Sequence, residues 1–284
     1  MARILIAGCG YVGEAAANLF HQQQWEVEGW TGSAESAARL ANRPYPVRSV
    51  DIADRAAVSA VSGQFDVVVQ CASTSGGDVE DYRRLYLEAA RNLTEAYPSS
   101  TLLFTSSTSV YAQKDRAIVD ESSPAEPASE KGKILRETEE LSLASGGIVA
   151  RLGGIHGPGR SFFLRKFLQG TAVVDPNDRR FINQVHRDDI VSALLLLAER
   201  RSECEGEIFN VVGDQPVRAR EAYEWLSLRL ERPLPLPARH TQERKRGESN
   251  KRVSNKKLRT LGWEPRYPTF EAAMGQSILP SFGF

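Results

Sequence analysis

Three sets of residues have types and spacings suited to chemistry. The first is a glycine set, Gly8, Gly10 and Gly13, in the stretch Ile4-Leu5-Ile6-Ala7-Gly8-Cys9-Gly10-Tyr11-Val12-Gly13. The spacing Gly-x-Gly-x-x-Gly stands between a short apolar run and a helical pattern over Glu14 to Gln23, the context that gives such a motif meaning. Each glycine has a mechanical task. Gly8 permits the tight turn out of a strand, Gly10 lets backbone approach a pyrophosphate, and Gly13 lets the helix pack closely on the sheet. The helix start adds free N–H groups and a partial positive charge. This stretch therefore predicts a dinucleotide site, with Tyr11 and Val12 beside the glycines.

The second set is a run of hydroxyls, Ser106-Ser107-Thr108-Ser109-Val110-Tyr111, after the apolar stretch Thr101 to Thr105. It falls at a strand's carboxyl end, where open α/β sheets bind ligands. Ser107 and Tyr111 are its candidates for chemistry. The third set is cationic or titratable. Lys131 and Lys133 open a helical stretch, and a desolvated amine beside another cation can serve as an acid or base. His156 and His186 titrate in the useful range. Arg160, Arg179 and Arg180 can hold an anionic substrate. The cysteines, Cys9, Cys71 and Cys204, are odd in number and far apart, which fits neither a disulfide framework nor a metal site. Cys9 and Cys71 read as small buried residues.

These groups need elements to position them. Trp25 to Trp30 reads as a second strand, followed by Thr31-Gly32-Ser33. An acid at that strand end would take a ribose 2′-hydroxyl. None is present, Thr31 and Ser33 can donate to a 2′-phosphate, and Arg39 follows, so NADP is favoured over NAD. Val47 to Val50 reads as a third strand ending in Asp51, and Asp54 as the cap of a helix through Val61. Asp66 to Gln70 is an apolar run of the kind buried on both faces of a parallel sheet, followed by the small residues Cys71-Ala72-Ser73. A long helix follows over Asp78 to Tyr97. Residues 112–128 read as a polar loop, Ser129 to Ser145 as a helix closed by Gly146-Gly147, and Ile148 to Ala150 as a sixth strand. Beyond it come a helix over Ser161 to Leu168, short strands at Ala172 to Val174 and Phe181 to Val185, and a helix from Asp188 or Asp189 to Glu199. The tail continues with a strand over Gly206 to Val212, a helix over Arg218 to Glu231, a proline-bearing linker, and helices over Asn255 to Leu261 and Thr269 to Ser277.

Composition narrows the function classes. The chain has 284 residues, 41% hydrophobic and 25% charged, with 36 Lys+Arg against 36 Asp+Glu. A zero net charge argues against a general nucleic-acid or anionic-membrane binder. The basic run from Arg239 to Arg252 (Arg244, Lys245, Arg246, Lys251, Arg252) reads as a solvated loop or a patch for a phosphate-bearing ligand. No stretch approaches the roughly 18 apolar residues of a membrane span, and Met1-Ala2-Arg3 leads directly into a strand. The expected compartment is the cytoplasm.

Taken together, several stretches resemble the extended or atypical short-chain dehydrogenase/reductases, in their NAD(P)-dependent epimerase/dehydratase branch. The resemblance rests on the glycine motif, Asp51, Ser106 to Tyr111, Arg151-Leu152-Gly153-Gly154-Ile155-His156-Gly157-Pro158-Gly159, Val185-His186-Arg187-Asp188-Asp189-Ile190, and Lys251 to Leu258 followed by Leu261-Gly262-Trp263. It implies an α/β, Rossmann-type, doubly wound parallel sheet of about seven strands with a smaller C-terminal substrate lobe, here divided at 1–155 and 156–284. It implies that Asp51 holds the adenine, Ala72 and Ser73 line the cofactor, His156 lies near its carboxamide, and Ser107 polarises a substrate carbonyl. It further implies an oxidoreductase or epimerase/dehydratase-like enzyme, monomeric or homodimeric. NADP is its expected cofactor, with NAD possible, and its expected substrate is a small carbonyl- or nucleotide-sugar-type molecule. The alternative is an NAD(P)-binding sensor or scaffold without activity. The family's Tyr-x-x-x-Lys pair is missing: one register puts Lys131 and Leu135 in its places, the other Ser129 and Lys133. Tyr86 stands near the place of the family's helix asparagine.

Overall fold

A computed structural model of the chain describes residues 1–284 apart from 75, 176 and 238–248. In chain order the elements are β1 (Arg3–Ala7), α1 (Gly13–Gln22), β2 (Glu26–Thr31), α2 (Ala34–Arg39), β3 (Val47–Ser49), α3 (Arg55–Ser59), β4 (Val67–Gln70), α4 (Val79–Tyr82), a π-turn (Arg83–Glu88), α5 (Ala89–Ala96) and β5 (Thr101–Ser107). Then come β6 (Ile118–Val119), α6 (Glu130–Ala144), β7 (Ile148–Leu152), β8 (Gly154–His156), α7 (Phe162–Leu168), β9 (Phe181–Ile182), β10 (Gln184–His186), α8 (Arg187–Glu199), α9 (Arg201–Cys204) and β11 (Ile208–Val211). Last are β12 (Val217–Arg218), α10 (Ala219–Leu230), β13 (Arg252–Val253), α11 (Lys256–Thr260), α12 (Phe270–Ala273) and α13 (Leu279–Ser281).

Seven strands form one sheet in the order β11-β7-β5-β4-β1-β2-β3. β1 pairs in parallel with both β2 and β4, from Arg3↔Glu26 and Ile4↔Val67 onward. The strand order reverses beside β1, so a crevice opens at its carboxyl end, the ligand position of doubly wound sheets. The expected fold class is the one found. The strand sequences are continuously apolar because both faces are covered by helices: Val67, Val68 and Val69 are all buried. On one face Leu5, Val68 and Leu102 pack with Val58, Ala89, Leu93 and Tyr97. α1 turns Ala16, Ala17 and Phe20 inward. Two alanines on that face let the helix lie close to the strands.

The chain divides into two compact units. The first comprises Met1–Val110, Glu126–Arg151 and Ile190–Phe209; the second comprises Tyr111–Ala125, Leu152–Asp189 and Asn210–Phe284. The second has its own aromatic core, in which Phe163 meets Tyr223 and Phe270 edge-on at 5.3 and 5.9 Å between ring centres. Such pairs add about 1 kcal/mol beyond area burial.

Several elements differ from the sequence expectation. Residues 112–128 are not all loop: β6 pairs in parallel with β13, Ile118↔Arg252 and Val119↔Val253. Ala172 to Val174 forms no strand; Val174 makes only an isolated bridge to Pro237. α8 begins at Arg187, so Asp188 and Asp189 lie in its first turn. The last helical run extends past Ser277 to Ser281. The helix expected over Asp78 to Tyr97 is interrupted by the π-turn. A π-turn releases backbone carbonyls from the i→i−4 ladder, and Gln70 on β4 takes up two of them, its Nε2 donating to Leu85 O at 3.1 Å and Tyr86 O at 2.9 Å.

Candidate functional site

The glycine turn is built by steric exclusion. Gly8 has φ +118°, a left-handed value, and a Cβ there would stand 2.3 Å from Ala72 N. A Cβ on Gly13 would stand 2.1 Å from Gly8 O. No other residue type fits either position. Gly10 differs: it is exposed, and nothing lies within 4 Å of where its Cβ would be. Its lack of a side chain serves the open space above the turn, not the fold below it. The turn is pinned to β2 by Gly8 N–H and Cys9 N–H, which both donate to Trp30 O at 3.1 and 2.7 Å. No side chain caps the start of α1, so its first turn presents backbone N–H groups and the positive end of the helix dipole. An open floor, an uncapped helix start and the switch point of the sheet together fit a dinucleotide pyrophosphate. Tyr11 and Val12 lead from Gly10 into that helix. Beneath the turn Cys9 is buried, and burial pushes its thiol up to about 12. The Cys71 thiol donates to Gly8 O at 3.3 Å and is likewise pushed up by burial. Both are inert packing groups at neutral pH.

At the end of β2 the two expected phosphate donors part company. Thr31 is buried, and its hydroxyl donates inward to Ser33 O at 3.1 Å. Ser33 is exposed, caps α2 by accepting from Ser36 N–H, and meets the Ser36 hydroxyl at 3.1 Å. Arg39 reaches back to the Ser36 hydroxyl at 2.9 Å. The exposed polar group at this strand end is therefore Ser33, Ser36 and Arg39. Past β3, Asp51 accepts from Ala53 N–H at 3.0 Å and from Arg84 at 3.0 Å. Asp54 caps α3 as expected, accepting from Ala56 N–H and Ala57 N–H.

The hydroxyl run on β5 divides by strand alternation. Ser106 points into the core and donates to Glu139 Oε1 at 2.6 Å. Ser107, one residue on and half-buried, accepts from Ser109 N–H at 3.1 Å. Its own proton has no acceptor among the described residues and is available to a ligand. Tyr111, expected as a second reactive hydroxyl, is 0% exposed and donates to Asn210 Oδ1 at 3.0 Å. Its phenol is part of the packing of the second unit.

The loop after β4 carries Ala72, half-buried with its backbone against Gly8, and Ser73, which is exposed. The Tyr86 phenol hydrogen-bonds Ser73 and Thr74, and burial raises its pKa above the usual tyrosine value. Lys131 holds the far end of the same loop. Its ammonium donates to Gly77 O and lies 5.0 Å from the centre of the Tyr82 ring. Leu135, in the family's lysine place, is buried; Ser129 caps α6, and Lys133 is exposed and pairs with Glu130. Tyr86 thus holds Ser73 and Thr74, and Lys131 holds Gly77.

Three buried charged residues are not apparent as such from the sequence. Glu139 on α6 and Arg151 on β7 are 0% and 1% exposed and form a bidentate pair at 3.0 and 2.7 Å. In the second unit Lys251, read as part of a solvated run, is buried instead. Its amine donates to Tyr111 O at 2.6 Å and the Ser249 hydroxyl at 3.1 Å, and burial pushes it down to about 8. Arg239, Arg244, Lys245 and Arg246 lie outside the described residues. Arg180 is forked onto Asp178 at 2.8 and 2.6 Å, which leaves its charge satisfied within the chain.

His156 and His186 face each other across β8 and β10 with ring centres 5.9 Å apart. Burial pushes His156 down to about 3 and His186 down to about 4. Asp188, at 3.9 Å from His186, opposes that shift, while Arg187 and Arg266 add to it. Both rings are neutral at physiological pH. A histidine whose folded pKa lies below its unfolded value stabilises the fold above the unfolded pKa and loses that stability as pH falls through the folded one. Asp189, accepting from Arg266 N–H and Tyr267 N–H, is pushed by burial up to about 6 and acts with the opposite sign. Two histidines outweigh one aspartate. The expected result is a loss of several kcal/mol of unfolding free energy between about pH 6.5 and about pH 4. Urea midpoints across that window check it, and a flat profile would be incompatible with two buried neutral rings.

Comparison with known proteins agrees with this geometry. Residues 4–212 match the model of the NAD dependent epimerase/dehydratase family. No curated protein matches the sequence. Among solved structures, one from Methylobacillus flagellatus described as an NAD-dependent epimerase/dehydratase is 25% identical. It covers 100% of this chain and 99% of its own, with a TM-score of 0.81. The dTDP-glucose 4,6-dehydratase of Bacillus anthracis, in complex with NAD, is 18% identical over 98% of this chain and 96% of its own, with a TM-score of 0.81. The UDP-glucose 4-epimerase of Thermotoga maritima, with UDP-glucose, is 17% identical over 100% and 99%, with a TM-score of 0.84. Among the described residues no helix is long and apolar enough to cross a membrane, and no cluster of metal-ligating side chains occurs. The turn at Gly8 to Gly13, the switch point above β1 and the match over residues 4–212 place this chain in the NAD-dependent epimerase/dehydratase family.

Proposed function

We propose that the protein is an oxidoreductase or epimerase/dehydratase-like enzyme that binds NADP in preference to NAD. Its substrate in this reading is a small carbonyl- or nucleotide-sugar-type molecule, handled without a Tyr/Lys pair. The observation that carries the proposal is the pairing of an open Gly10 floor with an uncommitted Ser107 proton at the end of β5. The bound nicotinamide supplies hydride exchange. Gly8, Gly10 and Gly13, with Tyr11 and Val12, form the turn that holds the pyrophosphate at the start of α1. Ser33 and Arg39, with Ser36, face the ribose 2′-phosphate, and Thr31 supports them from below through Ser33 O. Asp51 accepts from the adenine amino group, and Ala72 and Ser73 line the cofactor's path. Ser107 donates to the substrate oxygen and so favours the carbonyl's developing negative charge. Lys131 acts by holding Gly77 and by its charge. The enzyme works in the cytoplasm as a monomer or homodimer.

A second reading, a dinucleotide-binding sensor without turnover, draws on the commitment of Lys131 to Gly77 O. Titration of reduced-nicotinamide fluorescence tests the cofactor claim. NADPH is expected to bind at least about tenfold tighter than NADH, and Arg39→Glu to erase that difference with NADH affinity unchanged. Equal affinities, or NADH the tighter, would refute the 2′-phosphate assignment. With a substrate in hand, Ser107→Ala is expected to lower kcat by about 100-fold or more with cofactor affinity unchanged. Nicotinamide binding with no turnover in a broad carbonyl and sugar screen favours the sensor.

A further inference from the structure

The π-turn at Arg83–Glu88 has its cause outside its own helix, and it makes two contacts outside it as well. Gln70 closes β4 after three valines and is 1% exposed. The N–H groups of an amide buried there need acceptors. Its Nε2 finds them in Leu85 O and Tyr86 O, at 3.1 and 2.9 Å. In mid-helix an α-ladder leaves no carbonyl free, whereas a π-turn does, because it takes one extra residue into the turn. At 3.6 residues per turn, that residue swings the flanking side chains by about 100° relative to an unbroken helix. Arg84 and Tyr86 lie inside the turn, so their directions are set by it.

Both side chains leave the helix for loops at the carboxyl ends of strands. Arg84 Nη1 donates to Asp51 Oδ2 at 3.0 Å, just past β3. The Tyr86 phenol hydrogen-bonds Ser73 and Thr74, just past β4, while its ring meets Phe104 of β5 edge-on at 6.2 Å. In the sheet β4 and β3 flank β1 and β2, so the two contacts reach the loops on either side of the glycine turn. Neither contact is a core contact. The Arg84 and Asp51 side chains are 55% and 39% exposed, and Ser73 is exposed. An ion pair that exposed adds little to folding. What it fixes is the rotamer of Asp51, whose other oxygen, Oδ1, accepts from Ala53 N–H.

We propose that Gln70, Arg84 and Tyr86 are positioning residues of the dinucleotide site: Gln70 opens the π-turn, Arg84 sets the Asp51 carboxylate, and Tyr86 sets Ser73 and Thr74. The three fix two loops of that site before the cofactor arrives, in the dinucleotide reading of the glycine turn on which this rests. A loop side chain left free must be ordered when the ligand binds, at a cost of about threefold to tenfold in affinity. Asp51 is the adenine's acceptor in that reading, so Arg84 acts at the adenine end. Ser73 follows Ala72, whose backbone lies against Gly8, so Tyr86 acts at the pyrophosphate.

The test is a titration of reduced-nicotinamide fluorescence, using whichever of NADPH and NADH the parent protein binds, beside displacement by 5′-AMP and thermal melts. Tyr86→Phe keeps the ring against Phe104 and removes the hydroxyl. It is expected to weaken dinucleotide binding by about threefold or more and to leave 5′-AMP unchanged. Arg84→Met is expected to weaken both ligands by that factor. Both variants are expected to melt within about 4 °C of the parent. Arg83→Ala is the control: Arg83 sits on the same turn but faces Glu137 at 3.7 Å, and its affinities are expected to match the parent's. A double-mutant cycle separates positioning from bare charge. In an Asp51→Ala background, Arg84→Met is expected to cost nothing further; losses that multiply would mean that Arg84 attracts the phosphates directly. Gln70→Met withdraws both donors and is expected to lose as much as the two surface variants together. If it does not fold, the Tyr86 and Arg84 variants decide alone. Parent-like affinity in those two, an equal loss in Arg83→Ala, or multiplying losses in the cycle would overturn the inference while the dinucleotide reading stands. A parent protein that binds neither dinucleotide would refute that reading, and this inference with it.

Discussion

Gly10→Val is expected to fold and melt like the parent protein while losing reduced-nicotinamide binding by about 100-fold or more, roughly 2.7 kcal/mol. The two halves of that result have different causes. Nothing lies within 4 Å of the Gly10 Cβ position, so the added side chain meets no protein atom, and the fold has no reason to object. The same side chain fills the space a pyrophosphate needs above the turn. Gly13→Ala is the control. Its single methyl would stand 2.1 Å from Gly8 O, and the turn must open to admit it. That variant is expected to lose both stability and binding. Fluorescence titration with NADH beside thermal melts separates them. A Gly10→Val protein that binds normally would show that the phosphates do not lie over this turn. One that fails to fold would show that Gly10 has a packing role the geometry does not contain.

The largest effect on stability is expected at Glu139. Its carboxylate receives two hydrogen bonds from Arg151 and one from Ser106, and also pairs with Arg136. Glu139→Ala leaves the Arg151 guanidinium charged, 1% exposed and stripped of its counter-ion. An uncompensated buried charge costs about 3–5 kcal/mol. Arg136, which is partly exposed, turns to solvent or to Glu140 and loses little. Because the penalty comes from the orphaned charge, the double variant Glu139→Leu/Arg151→Leu is expected to recover most of it. Urea unfolding of the two singles and the double decides the matter. Additive losses would mean that the pair acts through side-chain volume and not through charge.

How much of this was legible in the sequence follows from the range of each interaction. The glycine turn was readable because its constraints are local and steric: a sharp exit from β1, a close approach of α1, and bare backbone between. The cap at Asp54 was readable for the same reason, since its carboxylate serves N–H groups two and three residues on. The parallel sheet was readable from apolar runs alternating with helical ones, because helices on both faces demand such runs.

Partnership was not readable. A sequence shows that Thr31, Ser106, Glu139, Arg151 and Lys251 are polar or charged, but not what each one faces. Thr31 and Ser107 were marked by the same hydroxyl chemistry, yet Thr31 is turned onto a backbone carbonyl while Ser107 keeps its proton. The π-turn at Arg83–Glu88 has no local signature, because the group that holds it open, Gln70, comes from another strand. β6 hid in a polar loop because its partner β13 lies at the far end of the chain. The sequence by itself determined the glycine turn and the class of fold, both set by backbone sterics and hydrophobic period over short spans. The tertiary structure alone decided which hydroxyls, carboxylates and amines stay free for chemistry, because a buried polar group must be matched by whatever distant residue folding brings against it.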